Sequence, residues 1–186
     1  MATRLDARST SPSRASQHEF AWRRWATQHR VASSMLAGLV GVHIASIIGF
    51  WLGGFGLKRL DWNTANGLVY LPESDVFPQF MFGWTMHYLD GVVFGLLFAI
   101  ALHPRLPWAN SATGNLLKGL TFGTVLAVIA LAVLTPLIYA PARDSVAGVF
   151  SINFGWKYIL GVFIFHWIYG AHVGLIYNPL DDEEPT

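Results

Sequence analysis

No cysteine occurs among the 186 residues, and charged side chains make up only 12% of them. Without cysteine there can be no disulfide scaffold, thiolate metal site or cysteine nucleophile. Soluble domains carry about 25% charged residues. Here the charge is half of that, 53% of the residues are hydrophobic and mean hydropathy is +0.42, which excludes a soluble globular enzyme. The formal net charge is +1, so the concentrated basic face that nucleic acid requires is not expected. Catalytic signatures are missing as well. There is no lysine in a phosphate-binding glycine loop, no His-Glu-x-x-His and no Gly-x-Ser-x-Gly. Asn63, Asn66, Asn110 and Asn153 stand in no glycosylation sequon. Whether the chain is an enzyme is left open, with a non-catalytic role favoured.

What is present is long uncharged runs. Four are long enough to cross the ~30 Å hydrocarbon core, over about Ala32–Phe55, Gln79–His103, Leu116–Tyr139 and Trp156–Tyr177. Pro104 and Pro107 end the second, and Pro136 predicts a kink or stop near the end of the third. The expected architecture is all-α: a four-transmembrane-helix bundle made of two repeated helical hairpins, with a short amphipathic N-terminal segment. Three regions follow: 1–30, disordered to interfacial and cytoplasmic; 31–178, the transmembrane domain; and 179–186, an acidic tail. The opening through about Ser16 reads as disordered, and the apolar run begins too late for a signal peptide. Between Glu19 and Arg30, Phe20, Trp22 and Trp25 alternate with arginines, predicting an interfacial helix with indoles at headgroup depth. Trp62, Trp84, Trp108, Trp156 and Tyr139 fall near span ends and predict an aromatic belt. Glu73 and Asp75, between Pro72 and Pro78, predict a solvated turn.

Basic residues orient the spans. Six arginines precede the first span, and Arg105 and Lys118 flank the connection between spans two and three, eight in all. The other two connections hold four: Lys58, Arg59, Arg143 and Lys157. The positive-inside rule therefore predicts cytoplasmic N and C termini.

Spans two and four share a pattern, His-x-x-x-Gly-x-x-x-Gly-x-x-aromatic, over His87–Phe98 and His166–Tyr177, offset by 79 residues. Spans one and three match more loosely, Gly38-Leu against Gly119-Leu, at an offset of 81. Duplication of a two-helix hairpin explains both offsets. Gly91 and Gly95, Gly119 and Gly123, and Gly170 and Gly174 are each four apart and so share a helix face. Such faces allow close backbone approach, either within the bundle or against a partner chain.

The ionisable residues inside the spans are His43, His87, Asp90, His166 and His172. Groups at that depth are costly and face a bundle interior, a partner or a water-filled cavity. His87, Asp90, His166 and His172 form a candidate polar cluster, in which the three-residue spacing of His87 and Asp90 predicts a direct pair. No cofactor is expected in first place. The alternative is haem b held by His87 and His166, with His43 as a further candidate ligand, since bundles place cofactor ligands on facing helices. A proton or ion path through Asp90 and the histidines is a third reading. No metal site is expected.

The His-x-x-Tyr-Gly-x-x-x-Gly pattern ending at Gly174, the short loop with Pro107-Trp108 and the four spans resemble the small uncharacterised four-helix inner-membrane proteins of bacteria of the YagU type, over residues 83–178. The resemblance implies a bacterial inner-membrane location and no catalytic residue. The segment Gly49–Lys58 is similar to four-helix DoxX-type proteins. The expected function is a non-catalytic accessory or stabilising subunit of a larger membrane complex, energy-transducing complexes included, with the lipid bilayer and other membrane subunits as partners. The alternatives are a bis-histidine haem b electron carrier and a small proton or ion transporter.

Overall fold

The computed structural model describes residues 14–180, with side chains from Ala21 onward. Helix α1 spans Arg14–Gln28, and α2, Arg30–Trp51, continues through a 3₁₀ turn at Leu52–Phe55. The short α3 is Trp62–Tyr70. Helix α4, Val76–Leu97, runs on through a π turn at Phe98–Leu102 and a 3₁₀ turn at His103–Arg105. Helix α5, Ala112–Ile129, continues as a π-helical stretch, Ala130–Tyr139. Two 3₁₀ turns, Pro141–Arg143 and Val149–Phe154, lead to α6, Trp156–Ile176. There is no strand among the described residues.

Four helical runs are long and apolar enough to cross a membrane: Arg30–Phe55, Val76–Arg105, Ala112–Tyr139 and Trp156–Ile176. This is the pattern of a multi-pass membrane protein. The second begins three and the third four residues earlier than hydropathy predicts, and for the third a polar cap lengthens the helix beyond its apolar core. Ser111 accepts a hydrogen bond from Gly114 N (3.1 Å) at the start of α5. Asp61 does the same for Thr64 N (3.0 Å) at the start of α3. At the other end of the first run, Gly56 adopts φ +79, the left-handed stop that glycine tolerates.

Glycine decides which helices touch. A Cβ on Gly38 of α2 would lie 2.3 Å from Gly91 O of α4, and one on Gly119 of α5 would lie 2.1 Å from Gly170 O of α6. One turn further, a Cβ on Gly95 would meet Ser34 O at 2.5 Å, and one on Gly174 would meet Asn115 O at 2.1 Å. A Cβ on Gly123 would come within 2.3 Å of His166 O. All six glycines singled out in the sequence are thus used between helices of this chain. In lipid, where apolar burial gives no preference for helix over solvent, such backbone contact is what holds helices together. Helix α2 packs on α4 and α6, α5 packs on α6, and α3 packs on α4. Helices α4 and α5 make no extended contact with each other. That gap is the origin of the site described below.

Hydropathy predicts only a connection over residues 56–78, and helix α3 lies within it. It is seated on α4 through two more glycines: a Cβ on Gly67 would be 2.2 Å from Gln79 O, and one on Gly83 would be 2.0 Å from Asn63 O. Nine residues with three asparagine or threonine side chains give no membrane-length signal, so hydropathy could not find it. Glu73 and Asp75 do lie in an exposed turn, between α3 and α4.

The opposite end of the bundle is closed by α1. Trp22 Nε1 donates to Ile176 O (2.9 Å), and the Arg23 guanidinium donates to Asn110 O and to Pro179 O (3.2 Å). Thr27 Oγ1 accepts from Leu180 N at 2.8 Å. Trp22 and Arg23 therefore serve protein carbonyls rather than lipid headgroups, because the last carbonyls of a helix have no partner within it. The α1 helix already includes residues 14–16. The rest of the expected disordered opening, and the acidic residues 181–184, lie outside the described residues. Behind α1 sits a buried polar chain that the sequence reading missed: His103 Nε2 donates to Asn115 Oδ1 (2.9 Å), and Asn115 Nδ2 donates to Asn178 Oδ1 (2.6 Å).

Candidate functional site

A cavity of ≈ 230 Å³ fills the gap between α4 and α5, with walls from all five remaining helices, α2 to α6. His87 and Asp90 of α4 and His166 of α6 line it together, as do Asn66 of α3 and Tyr139 at the end of α5. Asp90 and His166 fall near the middle of their helical runs, Val76–Arg105 and Trp156–Ile176. From that level the cavity extends toward the α3 end, reaching Tyr70 and Ile138, both exposed. The remaining walls are apolar, among them Val42, Phe94, Leu126 and Leu134.

Each polar group on this wall turns to a partner outside the trio. The Ser46 hydroxyl gives its proton to Val42 O (2.7 Å), so His87 Nε2, 3.1 Å away, is the donor to Ser46 Oγ. His166 Nδ1 donates to Val162 O one turn back (2.8 Å), which leaves Nε2 without a protein partner. Tyr139 donates to Asn66 Oδ1 at 2.6 Å, and Asn66 Nδ2 reaches Asp90 Oδ2 over a long 3.5 Å. The direct His87–Asp90 pair expected from spacing does not form. Three-residue spacing puts two groups on one side of a helix, but tertiary neighbours, Ser46 on α2 and Asn66 on α3, decide where each side chain bonds.

The other candidates lie elsewhere. His43 is exposed on the outside of the bundle, where Nδ1 sits 2.6 Å from the Tyr88 hydroxyl. His172 donates through Nδ1 to Ile168 O (2.7 Å) and is not part of the cavity wall. Trp62 and Tyr139, expected in an aromatic belt, are instead turned inward. Their rings meet at a tilt of 58° with centroids 5.2 Å apart, and Trp62 also meets Phe165 and His166. Trp62 is buried, yet its indole N–H has no hydrogen-bond partner. Trp84, Trp108 and Trp156 are exposed as a belt would require.

Trp62 and Tyr139 also form the floor of a second cavity of ≈ 490 Å³ at the α3 end, lined by Lys58, Arg59, Asp61 and Arg143. The two rings thus partition a charged outer vestibule from the inner polar site.

A haem between His87 and His166 would have to displace Phe165, whose ring packs on both imidazoles, 5.9 Å from one and 5.3 Å from the other. No group of three or more His, Cys, Asp or Glu side chains able to hold a metal occurs among the described residues.

This polar centre sits inside a sequence that carries its own family signature. The chain belongs to DUF6789, a family of unknown function. Its family model matches residues 28–186, which covers helices α2 to α6 and every residue of the cavity. No curated protein and no solved structure matches the chain. DUF6789 membership establishes relatives without supplying an activity, so chemistry must be argued from the site.

Proposed function

We propose that the chain is a non-catalytic integral membrane protein whose working part is the α4–α5 cavity, a polar binding centre inside the bilayer. The observation that carries this reading is that His87, Asp90 and His166 meet at one cavity without bonding one another. A cluster that only fixed helix register would satisfy its own members, since ionisable groups at mid-membrane are costly. Here they leave polar atoms around shared space, as a site for a polar guest does.

The biological setting we infer is an accessory subunit of a larger membrane complex. The glycine faces are already occupied within the chain, so a partner would meet the outward side chains, for example Leu39, Val93 and Leu175. Bacterial inner-membrane location is supported by the likeness to YagU-type proteins, and cytoplasmic termini by the basic residues. The paired glycine contacts, Gly38 with Gly91 and Gly119 with Gly170, support duplication of an ancestral hairpin.

Purification at native abundance in mild detergent tests the accessory reading. Co-purifying membrane subunits with no chromophore support it. A dithionite-reduced b-type haem band lost in His87→Ala and His166→Ala would establish the electron-carrier alternative instead. Proton flux in proteoliposomes that Asp90→Asn abolishes would establish the transporter.

A further inference from the structure

We propose that the cavity binds a lipid-soluble molecule with a single oxygenated six-membered ring, of the quinone or quinol class, entering sideways from the bilayer between α4 and α5. This rests on the reading of the cavity as a binding centre and adds the ligand and its route.

Size comes first. An apolar cavity of about 150 Å³ takes up a benzene ring, so ≈ 230 Å³ holds one substituted ring and no macrocycle. The walls suit a flat guest, because Trp62, Tyr139, Phe165 and Tyr169 present aromatic surface on three helices.

Hydrogen bonding narrows the class. Asn66 keeps a second amide proton beyond the one directed at Asp90, and a ring carbonyl accepts from such a group. On the opposite count, His166 Nε2 and the Asp90 carboxylate have acceptor capacity left, which suits a ring hydroxyl. A site offering both donors and acceptors matches a head that exists as carbonyl and as hydroxyl. A plain ketone would leave the acceptors unmatched, and a hydrocarbon would leave all of these groups unmatched. An anionic phospholipid head would meet the Asp90 carboxylate.

The route follows from the helix packing. Helices α4 and α5 make no extended contact, and the cavity reaches the half-exposed Phe94 and Leu134 and the exposed Ile138, apolar side chains at lipid depth. Toward the charged vestibule the same space is bounded by the tilted Trp62 and Tyr139 rings, which line both cavities. A molecule with a hydrocarbon tail can leave that tail in the α4–α5 gap while its ring lies at the polar wall.

The test is binding of a decyl-substituted benzoquinone, and of its reduced quinol, to the full chain in nanodiscs of zwitterionic phospholipid, read by tryptophan quenching and by thermal shift. Decanol is the control for tail and hydroxyl alone. Saturable binding of both forms is expected, with the quinol, whose hydroxyl donates to His166 Nε2, weakened about tenfold in His166→Gln by loss of one hydrogen bond. Leu134→Trp, which fills the space without touching a polar group, should abolish binding while unliganded stability stays near wild type. Quinol binding that survives both Leu134→Trp and His166→Gln would overturn the proposal and the binding centre together. Decanol binding as tightly, with the same sensitivity to both variants, would overturn the quinone class and leave the polar centre standing. Absence of saturable quinone binding to wild type would overturn the proposal outright.

Discussion

Ser151 Oγ donates a 2.8 Å hydrogen bond to Leu131 O, across twenty residues and into the middle of a membrane-length helix. The reason lies at Pro136. From Ala130 onward the helix is π-wound, with bonds such as Ala140 N to Thr135 O. In that register the partner of Leu131 O would be the nitrogen of Pro136, which carries no proton. The irregular segment after α5 folds back to supply one, holding Phe150 and Ser151 at φ +54 and +58 to do so.

Replacing Ser151 with alanine therefore strands a buried carbonyl, and a loss of about 1–3 kcal/mol is expected. Ser151→Gly relieves the positive φ but not the missing donor, so it should recover only part of that loss. Thermal unfolding in detergent separates the two. Equal stability of Ser151→Ala and wild type would show that the Leu131 carbonyl finds another donor.

Gly119→Ala should destabilise strongly, because the new Cβ would sit 2.1 Å from the backbone oxygen of Gly170, which cannot yield without moving α6. Overpacking of this kind costs ~1–3 kcal/mol or more. Gly54→Ala is the matched control. Nothing lies within 4 Å of its Cβ position, and a change within ~0.5 kcal/mol is expected. The yield of folded protein and its midpoint of thermal unfolding report both.

The four spans were legible because a run of apolar residues needs no tertiary information to be read. So were six of the glycines at close helix contacts, since four-residue spacing alone puts them on one face. His87, Asp90 and His166 could be picked out as ionisable groups at similar depth, and they do share a cavity. What stayed hidden was everything set by neighbours distant in sequence. Helix α3 reads as a loop, Asn66 as one more loop asparagine and Trp62 as an interfacial anchor, yet together they roof the site. Asn115 and Asn178, which bracket the buried network with His103, look like ordinary polar residues near span ends. Local pattern gives depth and face; bonding partners come from packing.

The side-chain partners predict how the polar wall couples. His87→Gln and Asp90→Asn should be additive within about 0.5 kcal/mol, since the two groups bond to different helices. Tyr139→Phe and Asn66→Leu share a 2.6 Å hydrogen bond and should show a coupling of ~0.5–3 kcal/mol. Both cycles use thermal or denaturant unfolding of four proteins each. A large His87–Asp90 coupling would mean that the pair bonds directly after all.

Sidedness gives the last prediction. The Arg23 bonds to Asn110 O and Pro179 O tie α1, the connection between α4 and α5, and the C-terminal segment to one end of the bundle. Helix α3 and residues 140–155 occupy the other end, so Ser74 and Ser145 must lie opposite Ser111 whichever way the protein is inserted. The excess of arginine and lysine at the α1 end then predicts that this end is cytoplasmic. The sequence has no cysteine, so single cysteines report without background. In intact cells a membrane-impermeant maleimide should label Ser74→Cys and Ser145→Cys, and reach Ser111→Cys only after permeabilisation. Labelling of Ser111→Cys alone would invert the orientation and leave the fold intact. Labelling of Ser74→Cys and Ser111→Cys together from outside would contradict α4 as a membrane span, and with it the depth assigned to Asp90.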